Sequence, residues 1–404
     1  MSKDSELYKE YKQYIGQGFL TSSKSPERFI KDVYPKFIRS ARGAYVKGED
    51  DKTYMDFISS LGSVFIGYRK LKLDLVPNLS LPSKRELDLA KKLNEFFPFV
   101  KNWKFLKTGT EACQAAIRIA RGYTGKDIVY TTGYHGWSDE FVSLMDPPEG
   151  AGIPRTAGHS MAHLPTDLSK ISGNNNVAAV IVEPIETDAS QERIDYLKRL
   201  REACTKGKVL LIFDEIITAL RYRDYSVSRF HGIIPDLFIG GKALGNGVAI
   251  SAIGASNRDI LDNPNYFVSG TYCAELIGIT AALSTLHILQ KKHKDSPKQL
   301  WDKAKEFQEG FNLEAARCSY HLKLVGYPTR LVFEGENRYI FWQEACKAGL
   351  LFGPSIFFSL AHLSHMDNLL SFCQDLLRRT HESRPPLLCI PTTAFHRKNP
   401  PVRL

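Results

Sequence analysis

Between about residue 100 and residue 260 the chain alternates short, nearly all-apolar runs with amphipathic stretches, and few folds accept that pattern. DIVYTT (127–132), VAAVIVE (177–183), KVLLIFDE (208–215) and DLFIGG (236–241) are rich in β-branched residues and bounded by Gly, Pro, Asn or Asp. Strands that are apolar on both faces must be covered on both faces, which implies a mainly parallel sheet between layers of helix. The intervening stretches carry the helical period: Leu87, Ala90, Leu93 and Phe97 recur at three- and four-residue steps, as do Ile194, Leu197, Leu200 and Cys204. The expected fold class is α/β, a large domain with a mainly parallel sheet plus a smaller α+β domain.

Ahead of this core, GAYVKGEDDKTYMDF (43–57) sets two aromatic-bearing segments around a polar GEDDK turn and predicts a β-hairpin. Past residue 290, helical stretches mix with short strand candidates such as TRLVFEG. The expected division is a segment 1–58 that joins the small domain, a large domain 59–290, a small domain 291–380 and an appended tail 381–404. The five prolines of the stretch ESRPPLLCIPTTAFHRKNPPVRL argue against a helix or an inner strand there.

With 43% hydrophobic and 24% charged residues the composition is globular, and no window approaches the ~20 uninterrupted apolar residues of a membrane span. The net charge of +10 is spread among acids, with part of it in Arg384, Arg397, Lys398 and Arg403, so it suits an anionic substrate or cofactor better than nucleic acid. Seven cysteines without a Cys-x-x-Cys pair, after a start that lacks a secretory apolar run, imply reduced thiols in a cytoplasm.

Four places carry residue types suited to chemistry. KTGTEACQAAIRIARGYTG puts Thr108, Gly109 and Thr110 at a helix start, either an anion site made of exposed N–H groups or an ordinary N-cap. KVLLIFDEIITALR runs a buried strand into Asp214 and Glu215, where a carboxylate either faces a ligand crevice or caps the next helix. DLFIGGKALGNG holds Lys242 in a turn with Gly240, Gly241, Gly245 and Gly247; desolvation at a strand end would make its amine nucleophilic, whereas a loop lysine would be solvated. GYHGWSDEF clusters Tyr134, His135 and Trp137 after a strand, for stacking on a planar ring or for packing. Together, in chain order, these are an anion site, a ring stack, a carboxylate partner for a protonated ring nitrogen and a Schiff-base amine, the parts that hold pyridoxal 5′-phosphate.

Over about residues 20–375 the chain resembles the class III (ω-type) aminotransferases of the fold-type I pyridoxal-phosphate enzymes, most of all glutamate-1-semialdehyde aminomutase and its sugar- and polyketide-cluster relatives. TGTEACQAAIRIARGYTG, YHGWSDEF, AAVIVEP, LLIFDEIITALR, PDLFIGGKALGNG and FVSGTYCAELIGITAAL carry the resemblance, in the family's order. It implies that Lys242 forms the Schiff base, Asp214 pairs with the pyridinium, Tyr134 stacks on the ring and Ile216 presses its other face. It further implies that Gly109 and Thr110 hold the phosphate, that His135 belongs to the cofactor site, and that Glu183 lies near the phenolic oxygen. Thr271 would reach the phosphate of a neighbouring subunit, which implies a homodimer; no metal is implied.

Near the N-terminus SSKSPERF resembles the aminomutase segment SPVRAF, matching Ser25 and Arg28 to a substrate-carboxylate site, with a solvent-facing arginine as the other reading. Two departures stand out: Ala219 replaces the usual glycine in DEIITALR, and GPSIFFSLAHL (353–363) has no counterpart to the aminomutase glutamate. The expectation is a pyridoxal-phosphate aminotransferase acting on a small carboxylate-bearing or sugar-like molecule, with intramolecular amino transfer as the alternative. A racemase or decarboxylase on the same scaffold also stays open, while Lys242, Asp214 and Thr271 together speak against a non-catalytic relative.

Overall fold

The computed structural model describes residues 3–74, 78–145, 150–154, 156–383, 385–389 and 391. Among the described residues two compact units emerge: one of those up to Lys70 together with those from Asp295 to Pro391, the other from Leu71 to Lys294. In the first unit, after helix Lys3–Tyr14, comes the expected hairpin, whose strands β2 (Tyr45–Gly48) and β3 (Thr53–Asp56) pair Val46 with Tyr54, flanked by β1 (Ile38–Arg42).

The second unit is built on a seven-stranded sheet: β4 (Asn102–Leu106), β5 (Ile128–Thr132), β6 (Met161–His163), β7 (Val177–Val182), β8 (Leu210–Asp214), β9 (Leu237–Gly240) and β10 (Ser251–Ala255), in the order β4-β10-β9-β8-β7-β5-β6. β6, β5, β7, β8 and β9 run parallel, as their two-sided apolarity demands; every residue of β7, β8 and β9 is buried. β10 runs against both neighbours. Its connection from β9 is only Gly241–Ile250, too short for the crossover a parallel pair needs. The glycines around Lys242 serve this reversal: a Cβ at Gly245 would collide with the Val248 carbonyl. Because β10 is antiparallel to both β9 and β4, the carboxyl end of β4 returns to the same edge as those of β5 to β9.

Helix Gly109–Thr124 lies on this sheet through Ala112, Cys113, Ala115, Ala116, Ile117, Ile119 and Ala120, and the alanines permit close approach. Helix Gln191–Gly207 buries Ile194, Leu197, Leu200 and Cys204, as the spacing implies. Helix Lys84–Phe96 departs from its expected face: Leu89, Leu93 and Phe96 point inward while Leu87 is 52% exposed. Two interleaved apolar sets fit one helical period there, and packing selects between them.

The first unit is completed by β11 (Lys323–Tyr327), β12 (Arg330–Glu334), β13 (Leu350–Leu351) and β14 (Ser355–Phe357). β13 pairs parallel with β3, joining N- and C-terminal segments in the sheet β1-β2-β3-β13, and TRLVFEG supplies β12. The IFF run is core: Ile356, Phe357 and Phe358 are all buried. The closing helix runs through Ser383, past the expected start of the tail, because the first proline comes only at Pro385. Pro386 and Leu388 are then held by buried Gln343, whose Nε2 donates to the Pro386 carbonyl (3.0 Å) and whose Oε1 accepts the Leu388 N–H (2.9 Å). The tail from residue 392 lies outside the described residues. No helix among the described residues is long and apolar enough to cross a membrane.

Candidate active site

Five strands deliver their carboxyl-terminal residues to one edge of the large sheet, the edge where open α/β sheets bind ligands. After β4 come Thr108, Gly109 and Thr110; after β5, Tyr134 and His135; after β7, Glu183; β8 ends in Asp214, followed by Ile216; after β9 comes Lys242. Each of these lies in the second unit.

Thr108 is an N-cap, so the ordinary reading of that residue holds: its Oγ1 accepts the Glu111 N–H (3.2 Å) while Glu111 Oε2 accepts the Thr108 N–H (2.8 Å). The capping box engages the Glu111 amide. Those of Gly109 and Thr110 lie in the first turn, where a helix has no carbonyl for them, and remain suited to an anion. The loop after β5 packs on this start so tightly that a Cβ on Gly136 (φ +109°) would strike the Thr110 side chain. Ser251 Oγ, from β10, donates to the Thr108 carbonyl (2.8 Å).

Asp214 is the electrostatic centre. It caps no helix; its Oδ1 accepts the Ile216 N–H (3.1 Å) across the turn that follows β8. Its Oδ2 lies 2.7 Å from His135 Nδ1 and accepts from the Cys113 thiol at 3.4 Å. His135 Nε2 is 3.0 Å from the Thr132 carbonyl, so both ring nitrogens face acceptors and the ring carries two N–H groups. Burial works to raise the Asp214 pKa, but the His135 hydrogen bond and charge, the Ile216 N–H and the Lys242 charge outweigh it and hold the carboxyl below its ordinary value. Burial works to lower the His135 pKa, and Asp214 overcomes this, so the imidazole sits above its ordinary value. Burial and the Asp214 charge push the Cys113 thiol well up, which keeps its proton available for donation. Cysteine, histidine and aspartate are also metal donors, but here they are joined by hydrogen bonds.

Glu183 Oε1 accepts the Tyr134 N–H (2.9 Å) and its backbone carbonyl accepts from Arg193 Nη2 (3.1 Å). Ile216 is 8% exposed and sits against two glycines; a Cβ would lie 2.6 Å from its Cδ1 at Gly241 and 3.3 Å at Gly109. Lys242 is half-buried with φ +39°, a left-handed conformation that non-glycine residues adopt at a cost and that recurs at functional sites. Trp137, 75% exposed, is not part of this packing. Glu215 is fully buried on Ser228, Val227, Thr218 and structural hydrogen bonds, and takes no part.

Three further expected residues make contacts of their own. Thr271 is exposed, its carbonyl accepting from Asn78 Nδ2 (3.0 Å). Ser25 and Arg28 belong to the first unit: Ser25 Oγ accepts the Glu27 N–H, and Arg28 Nη2 donates to Ser22 Oγ at 2.6 Å. Cys113 was legible only as an apolar position on its helix; nothing in its spacing says that the sulfur reaches Asp214.

The family model for aminotransferase class-III matches residues 30–355. The chain belongs to the class-III aminotransferases. Among its relatives, this class-III aminotransferase is 32% identical to a glutamate-1-semialdehyde 2,1-aminomutase of Francisella philomiragia, covering 82% of this chain and 83% of that one. To the enzyme of the same name from Chlorobium phaeobacteroides it is 29% identical, over 82% and 84%. Its fold is that of the Sphingopyxis FumI protein in its PLP internal aldimine form (TM-score 0.85, 22% identity, 95% and 98% covered) and of an omega-transaminase from Sphaerobacter thermophilus (TM-score 0.78, 21% identity, 93% and 97% covered). It is accordingly a fold-type I, pyridoxal-phosphate-dependent enzyme.

The residues present fit that cofactor. A carboxylate offers about four acceptor positions, and Asp214 has three filled, two on Oδ2 by Cys113 and His135 and one on Oδ1 by Ile216. A buried carboxylate with capacity for one more donor suits the N–H of a protonated pyridine ring.

Proposed function

We propose that this class-III aminotransferase transfers an amino group between small molecules, one of them carrying a carboxylate, through Lys242. The ionised Asp214 carboxylate, buried beside His135 and within the field of Lys242, carries that reading. When bound, the cofactor supplies an electron sink for the carbon that loses its proton. Asp214 Oδ1 would hold the proton on the ring nitrogen, the amides of Gly109 and Thr110 would bind the phosphate, Tyr134 and Ile216 would cover the ring, and Glu183, fixed by the Tyr134 N–H, would serve the phenolic oxygen. The Lys242 amine would bind the cofactor at rest and would move the substrate proton in turnover.

Transfer between two molecules is favoured over intramolecular rearrangement by the IFF run. Where aminomutase-like sequences place a glutamate this chain has a core strand, and a carboxylate within it would be buried among apolar side chains. Ser25 and Arg28 are proposed for the substrate carboxylate. Glutamate added to the yellow holoenzyme is then expected to bleach its absorbance as the amino group passes to the cofactor, and Arg28→Ala to raise the apparent KM for glutamate about tenfold or more. Clean conversion of glutamate-1-semialdehyde to 5-aminolevulinate, with glutamate inert, overturns transfer in favour of the aminomutase.

The active unit is proposed to be a homodimer in which Thr271 reaches the partner's phosphate; its exposure on a loop after β10 is compatible with this. Thr271→Ala is expected to weaken cofactor retention by roughly tenfold to a hundredfold, the value of a hydrogen bond to a charged group. Sedimentation of a fully active monomer removes the idea. Seven cysteines spread along the chain without a Cys-x-x-Cys pair support a reducing, cytoplasmic setting.

A further inference from the structure

We propose that Cys113 is a positioning residue for Asp214: its thiol fills the second acceptor position of Oδ2 and so leaves Oδ1 to receive the ring N–H of the cofactor. The inference rests on the role given above to Asp214, but concerns a residue that role does not require.

The geometry is specific. Cys113 lies one helical turn after Gly109, on the face of helix Gly109–Thr124 that meets the sheet, and is 1% exposed. Its Sγ is 3.4 Å from Asp214 Oδ2, the oxygen already paired with His135 Nδ1 at 2.7 Å. Two donors saturate an oxygen with two lone pairs. Oδ1 carries a single donor, the Ile216 N–H. A carboxylate held at three points from three elements, the helix, the loop after β5 and the turn after β8, cannot rotate to offer Oδ2 instead. The same helix presents Gly109 and Thr110 at its start, so one rigid element would grip the cofactor's phosphate and set the carboxylate that meets its ring.

The titratable groups around the cluster are His135 from the loop after β5, Glu183 after β7, Lys242 after β9 and the thiol itself. With the thiol proton removed, fewer donors stabilise the charged carboxylate, and protonation competes at a higher pH.

The test uses cofactor binding. Wild type, Cys113→Ser, Cys113→Ala, Cys113→Val and Asp214→Asn are stripped of cofactor, checked for native circular dichroism, and titrated with pyridoxal 5′-phosphate by equilibrium dialysis from pH 5 to pH 8. For the alanine and valine variants we expect a Kd increased roughly threefold to tenfold, and an acid limb of binding displaced upward by about half a pH unit. Serine keeps a donor and should restore both. Valine fills the space of the sulfur without donating, and alanine carries the comparison where valine does not fold. Equal displacement in all three variants means that packing alone matters, and no displacement in any means that the thiol does nothing; either result overturns the proposal. If Asp214→Asn binds the cofactor as tightly as wild type, the role of Asp214 itself fails, an outcome separate from the failure of Cys113.

Discussion

Lys242→Ala is expected to fold, to bind pyridoxal 5′-phosphate without a covalent link, and to lose amino transfer by roughly a thousandfold or more. Folding should survive because the turn around Lys242 is set by Gly241, Gly245 and the short return into β10, and alanine accepts φ +39° at much the same cost as lysine. Cofactor retention should survive in part because Asp214, Thr110 and Tyr134 lie on other strand ends. Borohydride reduction followed by peptide mass spectrometry provides the check. Wild type should carry the reduced cofactor on the peptide holding Lys242, and the variant should carry none; an adduct on a different lysine, with activity intact, would falsify the assignment.

Asp214→Ala should cost about a hundredfold to a thousandfold in rate, the scale for removing one preorganised electrostatic partner of developing charge. It should also lower the stability of the cofactor-free protein by about 3 kcal/mol, because His135 is then buried opposite no anion. The pH dependence has a definite sign. Asp214, held below its ordinary pKa, contributes stability that is present above the unfolded carboxyl value and lost as the pH falls through the folded one. His135, held above its ordinary pKa, contributes stability that is full below the unfolded imidazole value and lost as the pH rises through the folded one. The deficit of the variant should therefore be largest between about pH 4 and pH 6.5 and shrink toward alkaline pH. Urea unfolding at about pH 5.5 and pH 9 reads it, and an equal deficit at the two would mean that the pair is not ionised in this sense.

Much of the site follows from short-range order. Asp214 at the end of β8, Lys242 just after β9 and Thr108 ahead of a helical period are consequences of strands apolar on both faces, and such strands must stack in parallel with their carboxyl ends together. Short β-branched apolar runs bounded by Gly, Pro, Asn or Asp are written in each segment, so β5, β7, β8 and β9 could be recognised without knowledge of their neighbours. β4, β6 and β10 carry weaker patterns and became visible only through their pairing.

Tertiary structure decided the rest. Leu87 and Leu89 are equally apolar, and only the surface available to pack against places Leu89 inside. The glycines around Lys242 read as a setting for the lysine, whereas the structure uses Gly245 to turn the chain back into an antiparallel strand. His135 and Cys113 stand 79 and 101 residues from Asp214, and no local pattern records that their side chains converge on one oxygen. The physical reason is the range of the forces: periodicity and capping act over a turn or two of chain, whereas the ionisation of a buried carboxylate depends on whichever donors the packed sheet brings within hydrogen-bonding distance.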